Sequence, residues 1–234
     1  MSELVKSPVF GLLISLIAFQ AGAYVKKKLK LSVFNPLLIA IILVILFLTL
    51  TNISYEDYNY GGRMISFFLY PATVSLALPL YRKFHLFRKN VLPICAGILC
   101  GAVSSIACTI FLARLFGLSE KHTLSLIPKS ITTPIGMAVS EQMGGVPPVT
   151  VVAIIITGIL GSITGPFLYR VLKINDKVAM GIAMGSSSHA IGTAKAVEIG
   201  ETEGAMSGLT MAIAGIATVF LAPAMWKLYL IIFQ

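Results

Sequence analysis

Two polar stretches are set between apolar segments long enough to lie in a bilayer, and no other feature limits the fold as much. The second is Met184-Gly185-Ser186-Ser187-Ser188-His189-Ala190-Ile191-Gly192-Thr193-Ala194-Lys195-Ala196-Val197-Glu198. Ionisable groups at membrane depth are expensive, so they face a cavity or a partner and mark a site. Gly185 and the serines are poor material for a helix interior. The stretch therefore predicts a helix interrupted near Gly185–Ser188, with a second half-helix from Ala190 capped by Ser188. Irregular backbone is tolerated at that depth only where protein or water satisfies it. The plainer reading is a loop between two helices, with His189 and Lys195 in solvent.

The first stretch, Pro128-Lys129-Ser130-Ile131-Thr132-Thr133-Pro134-Ile135-Gly136-Met137-Ala138-Val139-Ser140-Glu141, has the same mixture. Thr133 before Pro134 predicts a helix start, with the hydroxyl as cap and proline at the first helical position. In a plain loop, Lys129 would snorkel to a headgroup. The two stretches also match each other. Ile135-Gly136 pairs with Ile191-Gly192, Ala138-Val139 with Ala196-Val197, Gly158-Ile159 with Gly215-Ile216, and Gly165-Pro166 with Ala222-Pro223, at offsets of 56, 58, 57 and 57 residues. Near-constant spacing predicts a repeated unit of broken segment plus spanning helix. A fainter third copy starts at Pro71-Ala72-Thr73-Val74-Ser75. Paired interrupted segments are the sequence pointer to a transporter binding site.

Composition agrees: 57% of residues are hydrophobic and 12% charged, with mean hydropathy +0.92. Soluble domains carry roughly 25% charge. The fold class is all-α, a polytopic membrane protein embedded in a lipid bilayer. The net charge of +9 sits in short loops between apolar runs, so it speaks of topology and not of nucleic acid. Cys95, Cys100 and Cys108 lie in one apolar run without metal spacing and read as small apolar groups.

Six full spans are expected, at Pro8–Val25, Pro36–Leu50, Arg63–Leu80, Val91–Phe116, Pro148–Tyr169 and Ala205–Leu230, with two broken or re-entrant segments beside them. The basic loops Lys26–Lys30, Arg82–Lys89 and Arg170–Lys177 place themselves in the cytoplasm, which leaves the N-terminus outside. Asn52–Gly61, with Glu56, Asp57 and three tyrosines, reads as an external exit. With Gly117–His122 outside and Arg170–Lys177 inside, the Pro128 stretch would dip and return. The Ser186 stretch either dips from inside or crosses, and its acidic exit at Glu198, Glu201 and Glu203 leans toward crossing. Residues 1–234 read as one integral membrane domain, with N-terminal helices over 1–120, partly scaffold, and two repeat units over 121–234.

The chemistry of the two breaks suits an anion. Half-helix N-termini offer free amides and partial positive charge. Lys129 and Lys195 add full charges. Ser130, Thr132, Thr133, Ser187, Ser188 and Thr193 add hydroxyls, and His189 a group that titrates near neutral pH. Glu141 and Glu198 are counter-charges for the empty site, Glu198 being three residues from Lys195 and able to pair with it on one helix face. A monocarboxylate fits this set. No cofactor or metal is expected. Ser188 and His189 are adjacent in sequence, which is no catalytic geometry, so an enzyme is not expected.

Over nearly its whole length the sequence resembles the LrgB/CidB family of bacterial membrane proteins. The resemblance is carried by Pro128-Lys129-Ser130-Ile131-Thr132-Thr133-Pro134-Ile135, by Ser188-His189-Ala190-Ile191-Gly192-Thr193-Ala194-Lys195-Ala196, and by Pro71-Ala72-Thr73-Val74 with Pro79-Leu80-Tyr81. It implies two functions. One is a holin- or antiholin-like protein that works with a smaller LrgA/CidA-like partner to modulate murein hydrolase activity and autolysis. The other is a carrier of small organic acids in the bacterial plasma membrane, since plastid relatives move glycolate and glycerate and bacterial relatives are linked to pyruvate handling. A homodimer is the expected assembly.

Overall fold

A computed structural model describes residues 7–29, 35–68, 71, 74, 81–82, 84–89 and 91–233. These residues are almost wholly helical, and the chain divides into two compact units, Met1–Ser75 and Leu76–Gln234. Four helices are long and apolar enough to cross a membrane: α1 (Pro8–Leu29), α5 (Val91–Leu115), α8 (Pro147–Val171) and α10 (Glu201–Phe233). They fall on four of the six expected spans. The expected third span lies mostly outside the described residues, as does the faint third copy at 71–75.

In the first unit, α1 packs on α2 (Pro36–Thr51) and α3 (Tyr55–Phe67). Helix α2 starts at a Pro behind Asn35, whose side chain accepts from the Leu37 amide at 2.9 Å. Its 16 residues give about 24 Å of helix, short for a 30 Å hydrocarbon core. The stretch expected as an external exit over 52–61 is mostly helix. Asn52 takes a left-handed conformation (φ 52°) and ends α2, and α3 begins three residues later. Ser54 explains the start: its Oγ accepts from the Asp57 amide at 3.1 Å and donates to the Asp57 carboxylate at 2.8 Å, a local cap that overrides loop composition.

In the second unit, α4 (Phe84–Lys89) leads into α5. Two helical hairpins follow, each succeeded by a long helix. In the first, α6 (Glu120–Leu126) runs inward and α7 (Thr133–Gln142) runs back. The register is visible in contacts: Val146 N donates to Ser125 Oγ at 2.7 Å, and a Cβ on Gly136 would meet the Pro128 carbonyl at 3.3 Å. Helix α8 then runs down against α7, with Thr150 Oγ1 donating to Ser140 Oγ at 2.7 Å.

The second hairpin lies within α9 (Lys177–Ile199). Backbone angles leave the helical range at His189 (φ 41°, ψ −135°). Residues 190–199 fold back along 177–188. A Cβ on Gly192 would meet the Met184 carbonyl at 2.8 Å, and Ala196 packs in one cluster with Met184 and Tyr169. In a straight helix Met184 and Ala196 would stand about 18 Å apart. At the open end of the hairpin, Lys177 and Ile199 line one cavity. The stretch therefore folds back and returns to the end of the bundle it came from, against the crossing toward which the acidic exit leaned.

The first hairpin is rooted at the N-terminal end of α8 and the second at its C-terminal end, so the two tips approach from opposite directions. Helix α10 runs beside residues 177–188 and on past the tip, while its Ala205, Met206 and Ala214 pack on Ile94 and Ile98 of α5. Arg82 pairs with Glu201 at 3.8 Å, which sets Arg82 at the same end as Lys177. Large apolar side chains along α5, α8 and α10, such as Phe111, Val152, Leu160, Ile216 and Phe220, stay exposed, as a lipid-facing surface requires.

Candidate functional site at two hairpin tips

The tips meet around the middle of α8. Gly136, in the first turn of α7, lies against the Ile154 side chain, where a Cβ would come within 2.6 Å of Cδ1. His189 reaches the same residue from the other hairpin: its Nε2 lies 2.9 Å from the Ile154 carbonyl oxygen. A carbonyl only accepts, so Nε2 carries the proton and Nδ1 alone remains for other chemistry. Space for the ring comes from Gly158, whose Cβ would stand 2.7 Å from Nε2. Gly161 makes the same room for Ser188, and Gly165 for Met184. The glycines of α8 thus form the groove into which the second hairpin is laid, the close approach that small residues permit between membrane helices.

Both breaks sit one residue from their expected places. The cap of α7 is Thr132, not Thr133, and its side chain makes no capping bond. Pro134 stands at the second position of the helix. In α9 the non-helical residue is His189 and not a member of 185–188, so Ser188 ends the first limb instead of capping the second. Ser188 Oγ bonds Ser187 Oγ at 2.9 Å, and Ser187 Oγ donates to the Ala183 carbonyl at 2.7 Å. These hydroxyls are spent on the limb they terminate, as serine often is in helices. A non-glycine residue at φ 41° costs on the order of 1–3 kcal/mol, held here by the His189 ring contacts.

A small cavity of about 10 Å³, room for about one water, lies between the tips, walled by Ala and Ile side chains with four hydroxyl groups among them. Ser130 and Ile131 line it from the first tip, Ser186 from the second, and Ser105 from α5. Ser105 Oγ bonds Ser130 Oγ at 2.8 Å and accepts from Lys129 Nζ at 3.4 Å. Lys129 is partly buried, and among the described residues no carboxylate lies within ion-pair distance of it. The structure thus brings Ser130 together with Ser105 and Ser186 around this cavity and ties Lys129 to Ser105, while Lys129 itself lines a separate open cavity of about 560 Å³ against α8. Ser105 was not legible as a site residue, because in sequence it is one of many small residues in an apolar run. Only the packing of α5 against the first tip selects it.

The other expected residues lie apart from this cavity. Lys195 pairs with Glu198 at 2.8 Å on the second limb of α9, with both side chains partly exposed. Thr193 is wholly buried, donates to the His189 carbonyl at 2.9 Å and bonds Ser207 Oγ of α10 at 2.9 Å. Thr132 and Thr133 are half-buried, Ser187 is exposed, and Glu141 lies exposed near the far end of α7. Among the described residues no group of His, Cys, Asp and Glu could hold a metal ion.

The sequence profile of the LrgB-like family matches residues 15–228. The chain belongs to the LrgB-like family. This LrgB-like chain is 35% identical over 218 residues to proteins named "Antiholin-like protein LrgB" from Bacillus mycoides, Bacillus cereus and Bacillus anthracis, covering 93% of its own length and 95% of theirs. No solved structure shows significant similarity to it. Family membership and the apolar helices together make it a multi-pass membrane protein.

Proposed function

We propose that this LrgB-like chain is a carrier of small organic anions of the glycolate, lactate or pyruvate kind, with a role in cell lysis and autolysis. One observation carries the reading: Lys129, a partly buried cation, hydrogen-bonds Ser105, which lines the cavity between two oppositely directed hairpin tips, and among the described residues no carboxylate is in ion-pair reach of it. A monocarboxylate supplies the charge that the site lacks, and Ser105 and Ser130 supply hydroxyl donors. Lys129 itself also lines an open, mostly apolar cavity of about 560 Å³ with Pro148, Val149 and Val152 of α8. The cavity between the tips is too small for any carboxylic acid, so binding at Ser105 and Ser130 requires a hairpin to move. Such movement is the ordinary device by which a carrier exposes one site to each side in turn. The resemblance of the halves supports inverted repeats: Gly136 and Gly192 each face the carbonyl eight residues earlier, and each hairpin is followed by a long helix. With the basic ends inside, the N-terminus is outside. Lys195 serves with Glu198 as a paired flank of the same hairpin, and Nδ1 of His189 is the place for a coupled proton.

The relatives' name favours a second reading, in which the chain acts with an LrgA/CidA-like partner on murein hydrolase activity. Purified protein in liposomes separates the two. A carrier accumulates radiolabelled glycolate, lactate or pyruvate and retains a trapped dye. Dye release without saturable uptake would overturn the carrier reading.

A further inference from the structure

Ser186 lines two spaces. One is the deep cavity with Ser105 and Ser130. The other is an open groove of about 520 Å³ between α5 and the first limb of α9, lined by Gly97, Gly101, Ile182, Ala183 and Ser186, with Asp176 at its mouth. The groove therefore runs from the end of the bundle that carries Asp176 and Lys177 to the rim of the Ser105–Ser130 cavity. Its polar parts are its two ends. At the mouth, Asp176 Oδ1 accepts from the Ala179 amide at 2.7 Å, so its charge sits on the N-terminus of α9, where the helix dipole offsets it. At the inner end Ser186 Oγ donates to the Ala183 carbonyl at 3.3 Å.

Between groove and cavity stands one close approach. A Cβ on Gly101 would lie 3.1 Å from Ser186 Oγ and 3.2 Å from Ser186 Cβ. At Gly97, one turn earlier, a Cβ would meet only Ile182 at 3.6 Å, an ordinary contact. The α5–α9 seam is thus open at Gly97 and narrow at Gly101. On α5, Ile94, Ile98 and Ile106 are buried, Ile94 forming part of the groove wall and Ile106 part of the cavity wall.

We propose that this groove is the access route by which a small anion reaches the Ser105–Ser130 cavity, whose Ser105 holds Lys129, from the Asp176 end, and that Gly101 with Ser186 is its constriction. The proposal rests on the carrier reading for the identity of the anion. The route itself is tested without transport. In a background with Cys95, Cys100 and Cys108 replaced by Ala, two reporters are made, Ala183→Cys in the groove and Ser105→Cys at its deep end. The protein is placed in nanodiscs, where both faces are open, and reacted with a small anionic thiosulfonate. Ala183→Cys should be modified rapidly, with or without Gly101→Val. Modification of Ser105→Cys should slow by roughly ten-fold or more when Gly101→Val is added, a barrier rise of about 1.4 kcal/mol. Trimming the opposing side with Ser186→Gly should recover much of that rate.

An unreactive Ala183→Cys would mean that the groove faces lipid and would overturn the proposal. So would a Ser105→Cys rate untouched by Gly101→Val, since the reagent would then arrive by another way. Liposome uptake separates this failure from that of the carrier reading. Uptake that persists in Gly101→Val keeps the carrier and removes the route. Absent uptake with the labelling pattern above keeps the route and removes the proposed substrates.

Discussion

His189 Nε2 donates to the backbone carbonyl of Ile154 at 2.9 Å, and the ring fills the space left by Gly158 one turn further along α8. This single contact ties the break in α9 to the middle of a spanning helix. It also explains why an imidazole can stand at an unfavourable backbone angle in a buried place, since its ring nitrogen is satisfied and its shape is matched.

Substitution Gly158→Ala should therefore destabilise the protein by roughly 1–3 kcal/mol through overpacking against the ring. In detergent the thermal midpoint should fall by several degrees. Adding His189→Ala should recover part of the loss. A Gly158→Ala protein as stable as the parent would show that the ring is not seated there.

Lys129→Ala should leave the protein folded and cut uptake by roughly ten- to a hundred-fold, the worth of a charge-assisted hydrogen bond of about 1.5–3 kcal/mol. Lys129→Arg should also be impaired, since a broad guanidinium replaces a compact ammonium beside Ser105. The measurement is initial uptake rate at equal protein content.

Lys195 behaves differently if its role is to pair with Glu198. Lys195→Met or Glu198→Gln alone should reduce uptake, and the double variant should regain much of it. A double variant as dead as Lys195→Met would return Lys195 to the substrate itself.

Cysteines placed at Lys173 and Glu201 should react with an impermeant thiol reagent from the same side of the membrane, and a cysteine at Gly117 from the other. The fold-back at His189 demands this. Labelling of positions 173 and 201 from opposite sides would mean that α9 crosses.

Thr210 Oγ1 is buried without a hydrogen-bond partner among the described groups, against Gly185 of α9. Thr210→Val should be neutral or raise stability by up to about 1–3 kcal/mol, because an unpaired buried hydroxyl costs about that much. Ser207→Ala should lower it, since Ser207 bonds Thr193. Thermal melts of the two variants give the comparison.

The sequence alone determined that the chain is helical, lies in a membrane and is broken at two polar places. These are local facts. Apolar runs admit only structures that satisfy their own backbone in lipid, and Gly, Ser and Pro disfavour helix where they fall. Ser188 and Thr133 each miss the true break by one residue, because a cap is chosen by what its neighbours can satisfy as well as by its own hydroxyl. Tertiary structure alone decided that α9 folds back at His189, that Ser105 joins Lys129 and Ser130, and that Lys195 lies apart from them. Each depends on which helix packs beside which. In lipid, that choice rests on close fit between surfaces such as Gly158 and the His189 ring, and no single segment of the sequence contains both halves of the fit.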